Sequence, residues 1–158
     1  MTCPLNASQL YDTLAPSYDA RFQSKVALIE NELATANLPT RNVLDLGCGT
    51  GLYLEYCQPE GYIGVDLSVG MLAVARAKFA DAKFIQSDMS AIPLPDNSVD
   101  AVVSLFGSFS YCLAPHRCVD EINRVLRPNG RVVVMVYGQR YINRPSHIAP
   151  HLNFWTYT

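Results

Sequence analysis

The 158-residue chain has no apolar run longer than the six residues Val132 to Tyr137, far short of the ~20 that a bilayer-spanning helix needs. Its start, MTCPLNASQL, has no basic stretch followed by an apolar one, so neither a secretory leader nor a membrane partner is expected. It lacks a basic patch: 12 Lys and Arg stand singly against 14 Asp and Glu, for a net charge of −2. That argues against nucleic acid, whose phosphates call for clustered positive charge. Five cysteines (Cys3, Cys48, Cys57, Cys112 and Cys118) include no C-x-x-C pair. This spacing fits neither a disulfide framework nor a zinc site, so a reduced, cytoplasmic protein without a metal is expected. Low-complexity runs are also missing, and 49% hydrophobic against 16% charged residues excludes disorder. The length fits one domain of roughly 100–200 residues.

What is present is an alternation of two patterns. Val26, Ile29 and Leu33 repeat at helical spacing, predicting a helix over 24–37 that Pro39 ends. Short apolar runs at Asn42 to Leu46, Tyr62 to Asp66, Lys83 to Ile85, Ala101 to Leu105 and Arg131 to Tyr137 read as buried strands. Between them, helices are predicted over 69–80, with Leu72, Ala75 and Phe79 inward, and over 115–126, with Val119, Ile122 and Leu126 inward. Apolar strands alternating with amphipathic helices predict an α/β fold, a doubly wound, Rossmann-like and mostly parallel sheet with helices on both faces. Arg127-Pro128-Asn129-Gly130 reads as the turn before the last of these strands.

The strongest local signal is VLDLGCGTG, residues 43–51. A strand that runs into Gly47, Gly49 and Gly51 and then a helix lets backbone N–H groups approach a ligand closely. The plainer reading is a tight turn that needs glycine for its geometry. Asp66, at the end of the second strand, can accept hydrogen bonds from both hydroxyls of a ribose. It could instead cap the following helix, although Ser68 is better placed for that. Asp88, with Met89 beside it in QSDMSAIPLPDNSVD, can hold an adenine amino group while the methionine packs on the ring. Alone, Asp88 would read as a solvated loop carboxylate.

Together these residues resemble the class I S-adenosylmethionine-dependent methyltransferases over about residues 8–137. VLDLGCGTG is similar to that family's first motif, YIGVDLS to its ribose motif, and QSDMSAIPLPDNSVDAVVS to its adenine motif and fourth strand. A nicotinamide-dependent oxidoreductase is disfavoured, because its third glycine falls one place later. The resemblance implies S-adenosylmethionine as cofactor. It places Gly47 and Gly49 against the methionine part and adds Asp45, Cys48 and Gly51 to the cofactor-binding residues, with Cys48 contributing backbone only. Asp66 goes to the ribose, Leu67 and Met71 beside the adenosine, and Asp88 and Met89 to the adenine. Ser104, Leu105 and Phe106 would contact the cofactor past the fourth strand. YDTLAPSYDARF, residues 11–22, resembles the Y-D-x-x-A-x-x-Y-D opening of small-molecule members. There Tyr11 and Tyr18 would close over the site, and they are the candidate catalytic residues. Two half-buried aromatics anchoring a terminal helix would look the same.

The methyl acceptor implied is a small molecule, since SLFGSFSY stands where enzymes acting on nucleic-acid bases carry N/D-P-P-Y/F. Phe106, Phe109 and Tyr111 suggest an apolar or aromatic acceptor pocket. His116, His147 and His151 are base candidates by type only. The resemblance divides the chain into a helical lid (1–40), a Rossmann-like core (41–137) and an irregular tail (138–158). The family's last two strands are expected to be absent, with NFWTYT read as the start of a further helix. The outer edge of 131–137 is then expected to seek a second copy or a completing chain, unless the tail folds over it. A cofactor-binding module without turnover is the alternative to an active enzyme.

Overall fold

The computed structural model describes residues 7–21, 38–137 and, as backbone, 152–157. The predicted helix over 24–37, together with His147 and His151, lies outside the described residues. The N-terminal segment forms helix α1 (Ala7–Leu14), and Pro16 lies in the 3-10 turn Ala15–Ser17 that follows. The core then alternates β1 (Arg41–Leu46), α2 (Leu52–Tyr56), β2 (Glu60–Asp66), α3 (Val69–Lys78) and β3 (Lys83–Gln86). It continues with β4 (Val99–Ser104), a 3-10 turn (Ser108–Tyr111), α4 (Pro115–Val125), β5 (Leu126–Tyr137) and β6 (Leu152–Tyr157).

The sheet order is β3-β2-β1-β4-β5-β6, with parallel pairing from β3 to β5 and β6 antiparallel to β5. Both faces of the inner strands are buried, which explains their unbroken apolar runs. Val43 and Val103 join Tyr53, Leu72 and Ala75 from α2 and α3 on one side, while Leu44, Leu46 and Val102 meet Cys118, Ile122 and Val125 of α4 on the other. Because β1 is flanked by β2 and β4, the order in which strands are added reverses there. That leaves a crevice outside the carboxyl ends of β1 and β4, the ligand position in open α/β sheets. No helix among the described residues is long and apolar enough to cross a membrane.

Three expectations change. The inward stripe of α4 is Cys118, Ile122 and Val125, and Val119 is 47% exposed. A buried free cysteine behaves as a small hydrophobe, which moves the stripe one residue back and leaves Leu126 to open β5. The segment 127–130 is an irregularity within a strand rather than a separating turn, since Val99 pairs with Leu126 and Ala101 with Arg131. Asn129 takes the left-handed conformation at φ 63, and a Cβ on Gly130 would meet Leu126 Cγ at 2.5 Å. Finally, NFWTYT is not a helix start. Leu152–Tyr157 is a strand in register with Val132 to Tyr137, as its aromatic and β-branched content favours. The outer edge of β5 is thus paired within the chain, and the tail is regular over those six residues.

Candidate functional site

Leaving β1, the backbone turns through Gly47, Gly49 and Gly51, all left-handed at φ 72, 55 and 83. The three glycines differ in what surrounds them. A Cβ on Gly51 would sit 3.0 Å from the Phe79 ring, and one on Gly47 would sit 2.5 Å from Ser108 Cβ. At Gly49 it would meet no described atom within 4 Å, because this residue faces an open cavity of about 390 Å³ at the switch point. That volume is within the range of small-molecule sites.

Asp66 anchors the turn from β2. Its Oδ2 accepts the Gly49 N–H and its Oδ1 the Ser68 N–H, each at 2.8 Å. A carboxylate offers about four acceptor sites, so the side chain can hold the loop and still accept a bond from a ligand hydroxyl. Burial pushes its carboxyl pKa up, while the N–H bonds of Ser68, Gly49 and Leu67 oppose that rise. The capping duty belongs to Ser68, whose Oγ accepts the Met71 N–H at 3.1 Å.

The remaining walls come from elements far apart in sequence. Leu67 and Met71 lie beside Asp66, and Asp88 and Met89 reach in from the loop after β3. Asp88 Oδ1 accepts both Ser90 N–H and Ser90 Oγ–H, at 2.8 and 2.7 Å, which fixes the carboxylate on its loop. Arg124 of α4 holds the downstream part of that loop through the carbonyls of Ile92 and Leu94 and the carboxylate of Asp96. The turn after β4 contributes Phe106, left-handed at φ 54, and Ser108, whose Oγ donates to Gly47 O at 2.9 Å. A bulky residue at positive φ is uncommon and collects at functional sites. Over the top, Tyr11 packs edge-on against Tyr18 at 6.1 Å and against Tyr111 at 5.8 Å.

The cavity therefore gathers Tyr11, Tyr18, Gly47, Gly49, Asp66, Leu67, Met71, Asp88, Met89, Phe106 and Tyr111. Other expected contacts lie behind it. Asp45 is buried beneath the turn, where the Tyr62 hydroxyl donates to Oδ2 at 2.9 Å. Burial raises its pKa to about 7; the Tyr62 bond works against this and the nearby charge of Asp66 adds to it. The Cys48 side chain is in the core, and burial raises its thiol well above the ordinary range, as a backbone-only role requires. Ser104 is buried and donates to Leu46 O at 2.8 Å, Leu105 is core, and Gly51 serves the packing on Phe79. Phe109 is half-buried against the core, and His116 is exposed at the start of α4. Ser8, Ser87, Ser108, Cys112 and Leu113 line the cavity without having been singled out. Only the 105–113 stretch gave a signal, as an aperiodic, glycine-containing segment directly after a strand.

The family model described as methyltransferase domain matches residues 44–134. The malonyl-[acyl-carrier protein] O-methyltransferase of Marinomonas sp. is 35% identical over 137 residues, 82% of this chain and 50% of that protein. The demethylmenaquinone methyltransferase of Thermus thermophilus is 37% identical over 114 residues, 67% of this chain and 51% of that protein. The chain thus spans about half the length of the curated relatives it matches. Among solved structures, the complex between the Haloferax volcanii Trm112 methyltransferase activator and a protein described as a methyltransferase superposes with TM-score 0.71 at 29% identity. That match covers 90% of this chain and 67% of the other. The family model runs from β1 to β5, and the nicotinamide alternative drops out: this chain belongs to the class I S-adenosylmethionine-dependent methyltransferases.

Proposed function

We propose that the cavity binds S-adenosylmethionine and that the protein transfers its methyl group to a small-molecule acceptor. The observation that carries this reading is the Asp66 carboxylate, held by backbone N–H groups beside the open face of Gly49. When bound, the cofactor supplies a methyl group already activated on a sulfonium. Asp66 would take the ribose hydroxyls, Asp88 and Met89 the adenine, with Leu67 and Met71 beside the adenosine. The glycine turn and Tyr18 would face the methionine end. Two carboxylates and three tyrosine rings around the cavity suit a cation, through charge and through the ring faces.

The chain's own contribution is alignment, a term that can reach ~7–11 kcal/mol for a well-placed pair of reactants. Phe106, fixed at positive φ, and Tyr11 and Tyr111, locked edge to face, supply rigid apolar walls for the acceptor. Tyr11 and Tyr18 would orient it. Two relatives of similar identity are named for malonyl-[acyl-carrier protein] and for demethylmenaquinone. Identity therefore does not choose the acceptor, and the walls favour one with an apolar or aromatic part. The scarcity of basic charge argues against nucleic acid, and the cysteine spacing argues for the cytoplasm.

Calorimetry with S-adenosylhomocysteine tests the site. Asp66→Ala should lose about 1.5–3 kcal/mol, the contribution of hydrogen bonds to a charged group, or roughly 10- to 150-fold in Kd. An unchanged Kd in a folded variant would remove the ribose assignment.

A further inference from the structure

The Y-D pair occurs twice in the N-terminal segment, seven residues apart, and the cavity explains only its tyrosines. The aspartates bond to the core instead. Asp12 Oδ1 accepts Ser68 Oγ–H at 2.5 Å and the Gly70 N–H at 2.8 Å, so a residue of α1 completes the cap of α3. Asp19 Oδ1 accepts Thr50 Oγ1–H at 2.5 Å, and its Oδ2 takes Lys78 Nζ at 2.8 Å, an ammonium that Glu55 also holds.

Both anchor points adjoin cavity residues. Ser68 donates its N–H to Asp66, and Thr50 follows Gly49. The helix that these bonds tether has no buried residue of its own. An eight-residue helix is marginal alone, and with only Tyr11 and Leu14 of its apolar side chains half-buried its place on the core leans on hydrogen bonds. Gly70 supplies the remaining contact. A Cβ there would sit 3.1 Å from Asp12 Cα and 3.2 Å from Asp12 O, so the backbones of α1 and α3 meet so closely that a side chain would push α1 back by a few tenths of an ångström.

We propose that Asp12 and Asp19 are positioning residues that latch the tyrosine-bearing wall over the cavity. Together with the bare Cα of Gly70, they set how long the cofactor stays bound. This rests on the cofactor reading above. Tyr11 and Tyr18 lie over the cavity, so release past this wall requires the segment 7–21 to lift, which breaks the aspartate bonds. Local opening of this kind draws on segments with few buried contacts.

Stopped-flow release of S-adenosylhomocysteine is compared for the parent chain, Asp12→Ala, Asp19→Ala, Gly70→Ala and Asp12→Asn. Hydrogen exchange of amides 7–14 is followed in the same proteins without ligand. Asp12→Ala and Asp19→Ala should each release ligand roughly tenfold faster. Gly70→Ala should do the same although alanine is the better helix former, because its Cβ displaces α1. Asp12→Asn, which keeps an acceptor oxygen, should recover most of the loss. A purely structural role predicts the opposite signature, a lower Tm and faster exchange in β1 and β4 with unchanged release. Release within twofold of the parent for both Asp12→Ala and Gly70→Ala overturns the proposal. If the parent chain binds no S-adenosylhomocysteine, the cofactor reading and the residence claim fall together. The exchange of 7–14 still decides the latch, which fails if neither variant quickens it.

Discussion

Asp45 gives the sharpest pH test. Its carboxyl is buried under the glycine turn with the Tyr62 hydroxyl on one oxygen, and its pKa rises from 3.8 to about 7. A raised carboxyl pKa means that the folded state holds a proton the unfolded chain has already lost. Stability therefore falls as pH climbs from about 4 through 7, the reverse of a salt-bridged aspartate. At ~1.4 kcal/mol per tenfold change in proton affinity, the span from 3.8 to about 7 sets an upper limit of about 4 kcal/mol. Asp45→Asn keeps an acceptor for Tyr62 and never ionises. Urea unfolding of both proteins between pH 4.5 and 8.5 isolates this residue, because the other titrating groups largely cancel in the difference. The variant's advantage over the parent should widen from pH 4.5 to above pH 8 by at least about 1.4 kcal/mol. A difference that stays flat with pH, or one that favours the parent at high pH, would refute the argument.

Other substitutions probe the turn, the wall and the helix face. Gly49→Ala enters open space but a left-handed backbone, so it should cost about 1–2 kcal/mol of stability and also weaken S-adenosylhomocysteine binding in calorimetry. Tyr18→Phe should leave Tm unchanged while reducing cofactor affinity or methyl-transfer rate; equality in both would return Tyr18 to a simple anchor. On α4, Ile122→Ala should cost ~2–5 kcal/mol. Val119→Ala should stay within about 0.5 kcal/mol, and denaturant midpoints that reverse this order would contradict the observed face.

The parts that could be read in the sequence are those whose signal is local. Five strands were visible because burial on both faces demands continuous apolar residues, and the glycine turn because left-handed backbone demands glycine. Asp66 stood out by its place at a strand end. The α4 face was displaced because Cys118 was not counted among its apolar residues. β6 was misread because six residues rich in aromatics carry no period long enough to tell strand from helix. The latch and the loop clamp were invisible for a different reason. Asp12 meets Ser68 across 56 residues, Asp19 meets Thr50 across 31, and Arg124 meets Leu94 across 30. An exposed carboxylate or guanidinium looks alike in sequence whether it is solvated or bonded to a distant backbone. Asp45 illustrates the same limit: its motif marked it as a ligand contact, whereas the fold places it one layer below.

The pairing of β1 with β4 has a kinetic meaning. Ser104 Oγ bonds to Leu46 O across 58 residues, and Ser108 Oγ to Gly47 O across 61. The glycine turn therefore reaches its final shape only after a long stretch of chain has closed on itself, and such closures are the slow events in folding. On a growing polypeptide, β1, β2 and β3 would be complete while the turn still lacked its ceiling. Recognition of a nucleoside is thus a property of the finished central sheet. A ligand that binds only the finished site would slow disassembly rather than speed folding.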